Sequence, residues 1–531
     1  MPISYLSAAQ IANLSATTIT NLSTTKLETL ASTQVGALSN TALAGLSATQ
    51  VSALSATQVK GLTAAQIPAF APNLIFDSDQ LAAFSGNQLN ALTSTQLAKL
   101  DASRLDVLSA TQVGALDATH FIGLDATQIS ALDATQLTNL TTTQISALRL
   151  EDLGEMWPDQ LGVLSATQIA ALPATLIPAL DDQQFAALGT TQIKGLTATQ
   201  VGALSTTQLA DLDTDLGVLS AAQLSGLSVT QAASLSNTQV AALTATQLAG
   251  LSGSGVGGLS TTQIANLSST QIAGLTATQV RSLSVTDFGK LTATQVARFT
   301  ATQMAALSAT NISALTATQV ANLTTTQFAS LAATQLAGLT TTDFAELSVT
   351  QIQSLTATQV GGLSTANISG MDATAFQALT TTQVTGLAAT QLAGLSTTDI
   401  GEFSTTQVAT LSASQLGAIS VTDLAAFSAT QVSSLTPTAL RGLSAYQVRS
   451  LSTTAFGQLT ATQVQGLTST QVGSLSTSVI AGLTTTQVGY ILPAQIPGLT
   501  IGQLDWLSTT NIAAMTPLQV GAFTPAQVES L

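Results

Sequence analysis

An eight-residue phrase recurs almost from end to end of the 531-residue chain: Leu46 to Leu62 reads LSATQVSALSATQVKGL, two copies of L-[S/T]-x-T-Q-[V/I/L]-x-x. With the slots lettered a to h from the Leu, slot a runs unbroken from Leu6 to Phe70, from Phe76 to Leu212 and from Leu219 to Leu531, giving 64 octads. A unit this short closes no core of its own and buries its apolar face only by stacking on its neighbours, so the separate globular domains that the length would suggest are not expected. The expected organisation is a solenoid segment over 1–70, a register break at 71–75, a second segment over 76–212 that is irregular near 149–160, another break at 213–218, and a third segment over 219–531.

The slots have distinct chemistry. Slot b is Ser or Thr in most copies and Asp at Asp101, Asp117, Asp125 and Asp133, the residues that cap helix N-termini. Slot e, three residues on, is usually Gln, with Asp or Asn at Asp287, Asp343, Asp399, Asp423, Asn311, Asn367 and Asn511; the pair makes a capping box. Proline stands in slot c at Pro158, Pro437, Pro493, Pro517 and Pro525, the first helical position, where its missing N–H costs nothing. These features predict an all-α, elongated solenoid in which each octad is one short capped helical turn linked through the slot-a Leu.

The alternative is a β-solenoid with two or three octads per coil. Ser/Thr-Pro also opens type I turns, β-branched Thr, Val and Ile are abundant, and Pro68, Pro178 and Pro497 in slot g bar a regular helix there. One continuous helix is not expected, because eight residues at 3.6 per turn rotate the apolar stripe by about 80° per octad. Either solenoid points slots a and f inward and slots b, d and e at least partly outward, giving a Leu/Val/Ile seam under a Ser/Thr/Gln skin.

Little in the chain suggests chemistry. Twenty-six acidic and eleven basic residues, net −15, are too few cations to track a phosphate backbone, so no nucleic acid is expected as partner. Ser, Thr and Gln return in every octad, so no apolar run is long enough for membrane insertion. There is no Cys, hence no thiolate metal site or nucleophile. His120, the one histidine, replaces a slot-e Gln and has no companion at catalytic or ligand spacing. Glu151, Asp152, Glu155 and Asp159 around Trp157 are the densest acidic stretch, better suited to a solvated bend than to a calcium loop. LSGSGVGGL at 251–259 lacks the Lys of a phosphate loop. No catalytic, cofactor-binding or metal residue is expected, and the chain is not expected to be an enzyme.

The Thr/Ala/Gln-rich short repeats, the acidic Cys-free composition and the leaderless start MPISYLSAAQIANLS together resemble the repeat regions of bacterial extracellular proteins exported by type I systems, which serve as adhesins, surface-layer components or matrix filaments. Calcium-binding nonapeptides are missing, and the C-terminal residues are still repeat. The resemblance implies an extracellular or cell-surface protein exported without a cleaved N-terminal signal, the alternative being a cytoplasmic one.

The function expected is structural: head-to-tail self-assembly into a filament, layer or stalk, with cell-surface or matrix contacts. Both ends read as open repeat, and Ile3, Leu6, Val528 and Leu531 are the expected assembly ends, because an uncapped terminal coil exposes its seam. The alternative is an ice-binding or surface-binding adhesin solenoid that uses the regularly spaced slot-d Thr. A peptide- or glycan-binding solenoid would need a patch built from Trp157, Trp506, Tyr5, Tyr446 and Tyr490, which are far apart in sequence.

Overall fold

Slot b sets where each helical turn begins. In the octad at Leu46, Ser47 is extended (φ −75°, ψ 160°), its Oγ accepts from Gln50 N at 3.3 Å, and Gln50 Oε1 accepts from Ser47 N at 2.9 Å, so the turn Ala48–Ser52 starts with two otherwise orphaned N–H groups satisfied. Val51 N then donates to Ser47 O and Leu54 N to Val51 O, both at 3.0 Å, and the chain leaves the turn at the next slot a. The computed structural model describes residues 2–531, the side chain of Thr214 excepted. Among them are 61 short α-helical turns, five 3-10 turns and no strand. The fold is an all-α repeat solenoid, and the β-solenoid alternative falls because each octad satisfies its backbone locally. Pro68, Pro178 and Pro497 lie inside the 3-10 turns Ala64–Ala69, Ala174–Ala179 and Pro493–Gly498, the tighter form being what remains where Pro removes an N–H.

Each turn packs on the third one along the chain, so three octads, 24 residues, make one coil with three sides and three corners. Two compact units share this plan, one ending at Leu259 and the other beginning at Ser260. Ala16–Thr20 packs on Asn40–Ala44 in the first, and Ala357–Gly361 on Thr381–Gly386 in the second. Slots a and f fill the interior, as with Leu54 and Val59, while slot-b Ser55 and slot-d Thr57 are exposed. Slot e corrects the expected skin: Gln58 is only 3% exposed, and most slot-e Gln side chains are buried with it.

The two short steps each occupy a side of a coil. Residues 71–77 form no helix, yet Ala56–Val59 packs directly on Ser78–Ala83, and the rings of Phe70, Phe76 and Phe84 meet edge to face at 5.2 and 4.9 Å to fill the space left by the missing residues. The second step is the 3-10 turn Asp213–Val218, which packs between Thr190–Gly195 and Asn237–Ala242 and holds Asp213 at φ 36°, the one left-handed non-glycine among the described residues. Around Trp157, which is exposed, the turns Leu150–Glu155 and Pro158–Gly162 continue the stacking.

Slots g and h decide how closely coils approach. A Cβ on Gly442 would lie 1.9 Å from Ala413 O, and one on Gly417 2.5 Å from Gly442 O; the backbones touch where side chains are absent. Gly442→Ala is expected to cost about 1–3 kcal/mol by forcing the two coils apart, read as a lower denaturation midpoint with faster hydrogen exchange around 413–442.

Candidate functional site

The Gln of slot e is a polar group that the fold buries in the same position coil after coil. Gln58 Oε1 accepts from Ser55 N (2.9 Å) and Ser55 Oγ (3.2 Å), while its Nε2 donates to Leu27 O (2.7 Å) and Leu30 O (2.8 Å), the slot-f and slot-a carbonyls at the matching corner of the preceding coil. Gln327 in the second unit repeats the pattern, accepting from Thr324 N at 2.9 Å and donating to Val296 O at 3.0 Å and Phe299 O at 2.7 Å. Both N–H groups and the oxygen of the amide are therefore used. A Glu would cap the turn equally well, but it brings no N–H to the carbonyls above; an Asn carries the right groups on a side chain one methylene shorter.

Some exceptions in the first unit serve the corner by other groups, whereas Ala42, Leu176 and Gly255 carry no side-chain donor. Arg104 directs Nε to Phe76 O at 3.3 Å and pairs with Asp101. His120 sets Nε2 3.1 Å from Leu92 O and Nδ1 2.9 Å from Asp117, so its ring stands in the place of the Gln amide. Hydrogen bonds from the His120 backbone and ring, in that order, hold the Asp117 carboxyl below its usual range. At the acidic stretch the roles are exchanged: Asp152 accepts from Arg149 N at 2.9 Å, and the Arg149 guanidinium, paired with Asp152, donates to Leu124 O at 3.1 Å. Glu151 joins that pair at 3.4 Å. Among the described residues no group of three or more His, Cys, Asp or Glu is placed to hold a metal ion.

The expected assembly ends differ in exposure. Ile3, in the 3-10 turn Ile3–Tyr5, and Leu6 are half-buried, whereas Val528 and Leu531 are exposed. Trp157, Trp506, Tyr5 and Tyr446 are exposed and Tyr490 is half-buried; ring contacts among the described residues involve Phe alone. A surface depression of about 520 Å³ beside Tyr446 and Arg449 is lined by Ser474, Thr477 and Thr500, so it offers one aromatic ring and not a patch. No described helix is long and apolar enough to cross a membrane.

The inward role of slot e was missed from sequence, although a signal for it exists: no octad has Glu in slot e, which a capping role alone does not explain.

A family model for the ALTTAQ repeat matches residues 177–214, and the chain is a repeat protein. No curated protein matches it. A solved structure described as "Structure of APUM23-GGAAUUGACGG" aligns over 98% of this chain and 97% of that chain, with 13% identity and a TM-score of 0.14. A second, "Structure of APUM23-GGAUUUGACGG", aligns over 92% and 89%, with 12% identity and a TM-score of 0.13. Scores this low carry no argument about fold or ligand.

Proposed function

We propose that the chain is a structural, non-enzymatic repeat protein whose coils stack head to tail on those of further copies, forming a filament, layer or stalk outside the cell or at its surface. The observation that carries this reading is the mismatch between inner and outer coil faces. Within the stack, slot-f Val472 and Val488 are buried and the slot-e amides of one coil serve carbonyls of another; in the last coil Val520 and Val528 are 48% and 58% exposed. The slot-a carbonyls of Leu507, Met515 and Phe523 receive no side-chain donor among the described residues, Gln527 being used on Leu499 O.

The first coil presents the complement. Its slot-e residues are Gln10, Thr18 and Lys26, each a hydrogen-bond donor, and Gln10 uses only its oxygen, on Ser7 N at 2.8 Å. A donor face that fits an acceptor face on another copy makes a contact that does not close on itself and therefore propagates. Sedimentation velocity and electron microscopy of the 531-residue chain should show long, thin, unbranched filaments without added nucleotide or metal. Ile3→Lys combined with Leu531→Lys should leave single particles. A chain that stays monomeric at high concentration defeats the proposal.

A second reading, an ice-binding or surface-binding solenoid, is favoured by the exposure of slot-d Thr57, Thr326 and Thr382, capping being done by slot b. Its measurement is thermal hysteresis, and a solution with none at high concentration removes ice as the surface.

A further inference from the structure

The second unit carries a longer rhythm over the octads. Slot e departs from Gln at Asp287, Asp343, Asp399, Ala455 and Asn511, each 56 residues after the last, and at Asn311, Asn367, Asp423 and Val479, again 56 apart. Ala375 and Ala439 fall outside the pattern. Members of the second series follow those of the first by 24 residues, one coil, so each pair breaks the Gln stack at the same corner of two adjacent coils. Seven octads are two coils and one side, and each successive pair therefore lies one corner further round.

These pairs loosen the corner. Where Gln383 donates to both Ile352 O and Leu355 O, Asn311 reaches only Leu283 O at 3.2 Å and Asn367 only Leu339 O at 3.1 Å. Asp343, Asp399 and Asp423 bond within their own octads, to Thr340 N at 3.0 Å, Ser396 N at 2.7 Å and Ser420 Oγ at 2.5 Å. As carboxylates they bring no N–H to the slot-a carbonyls of Leu315, Met371 and Leu395, and Ala455 and Val479 bring none to those of Phe427 and Leu451. Asp287 keeps one bond to the coil before, from Thr261 Oγ1 at 2.8 Å. The remedy that Arg149 supplies beside Asp152 is absent, since slot b is Thr340, Ser396 and Ser420. The Asp399–Asp423 corner is the most burdened: Glu402 Oε2 is buried without a partner, and burial, then Asp399 and Asp372, push the Glu402 carboxyl above its usual range.

We propose that these corners are opening points built into the second unit at 56-residue intervals, where adjoining coils part first and between which the solenoid responds to tension as seven-octad blocks. Local opening of this kind sets amide exchange in the native state. In the full chain, amides of 395–402 and 419–426 at the Asp399–Asp423 corner should exchange about tenfold faster than those of 403–410 and 427–434 at the neighbouring corner of Gln407 and Gln431, the factor carried by about one hydrogen bond. Asp399→Gln with Asp423→Gln should remove the difference, and Gln407→Asp with Gln431→Asp should create a new fast corner. Pulling single molecules should lengthen the unit in steps of one block, on the order of 200 Å of extended chain. Equal exchange at the two corners, or steps of one coil, on the order of 80 Å, would overturn the proposal.

Discussion

Gln327→Leu is expected to destabilise the coils around it by about 2–6 kcal/mol, since it strands two backbone groups, Thr324 N and Phe299 O, at about 1–3 kcal/mol each, while Val296 O keeps its bond from Phe299 N. The volume changes little, so packing contributes little; what is lost is the acceptor for Thr324 N and the donors to Val296 O and Phe299 O. Gln327→Glu should fall between the two, keeping the cap and losing both donors. Chemical denaturation gives the magnitude, and hydrogen exchange over 296–331 places it. A loss below about 1 kcal/mol, the net worth of one ordinary hydrogen bond, would mean that water serves the corner as well as the amide does.

Leu323→Ala should cost about 2–5 kcal/mol through the cavity it leaves. Leu323 is 3% exposed, and its carbonyl still receives Gln351 Nε2 at 2.8 Å, so this substitution empties the seam while leaving the amide stack in place. The damage should stay within the adjoining coils, as nearest-neighbour coupling in repeat arrays predicts. Thr326→Ser, on the exposed face, should change stability by less than about 0.5 kcal/mol. Similar losses at Leu323 and Thr326 would contradict the assignment of inward and outward slots.

Much of the octad is legible in the sequence, because its causes are local. Ser47 and Gln50 announce a capping box within four residues, and the Pro in slot c of five octads fits only the start of a turn. The three-octad coil was not legible, since it depends on how a slot-a corner redirects the chain in space. Slot e was misplaced for a related reason. Polarity along the chain marks Gln58 as surface, and only the stacked coil shows that its amide serves Leu27 O and is the donor to Leu30 O. His120 reads in sequence as an ordinary replacement for Gln, but the carbonyl of Leu92 that makes His serviceable there lies 28 residues away.

The short steps at 71–76 and 213–218 give the chain something like a reading frame. Despite the missing residues, Ala56–Val59 still meets Ser78–Ala83, and Ala198–Ala203 still meets Ala221–Leu224. Position downstream is thus kept by counting corners, not residues. Loss of one or two residues within a side is silent beyond that side. Loss of a whole octad is harmless where it happens, yet it moves every later octad to a different corner relative to the coils before it and gives the octads of the coils that meet at the junction new neighbours. Insertions or deletions in multiples of three octads alone preserve the phase, so gene segments of that size are the ones this architecture can gain or shed while every later octad keeps its corner.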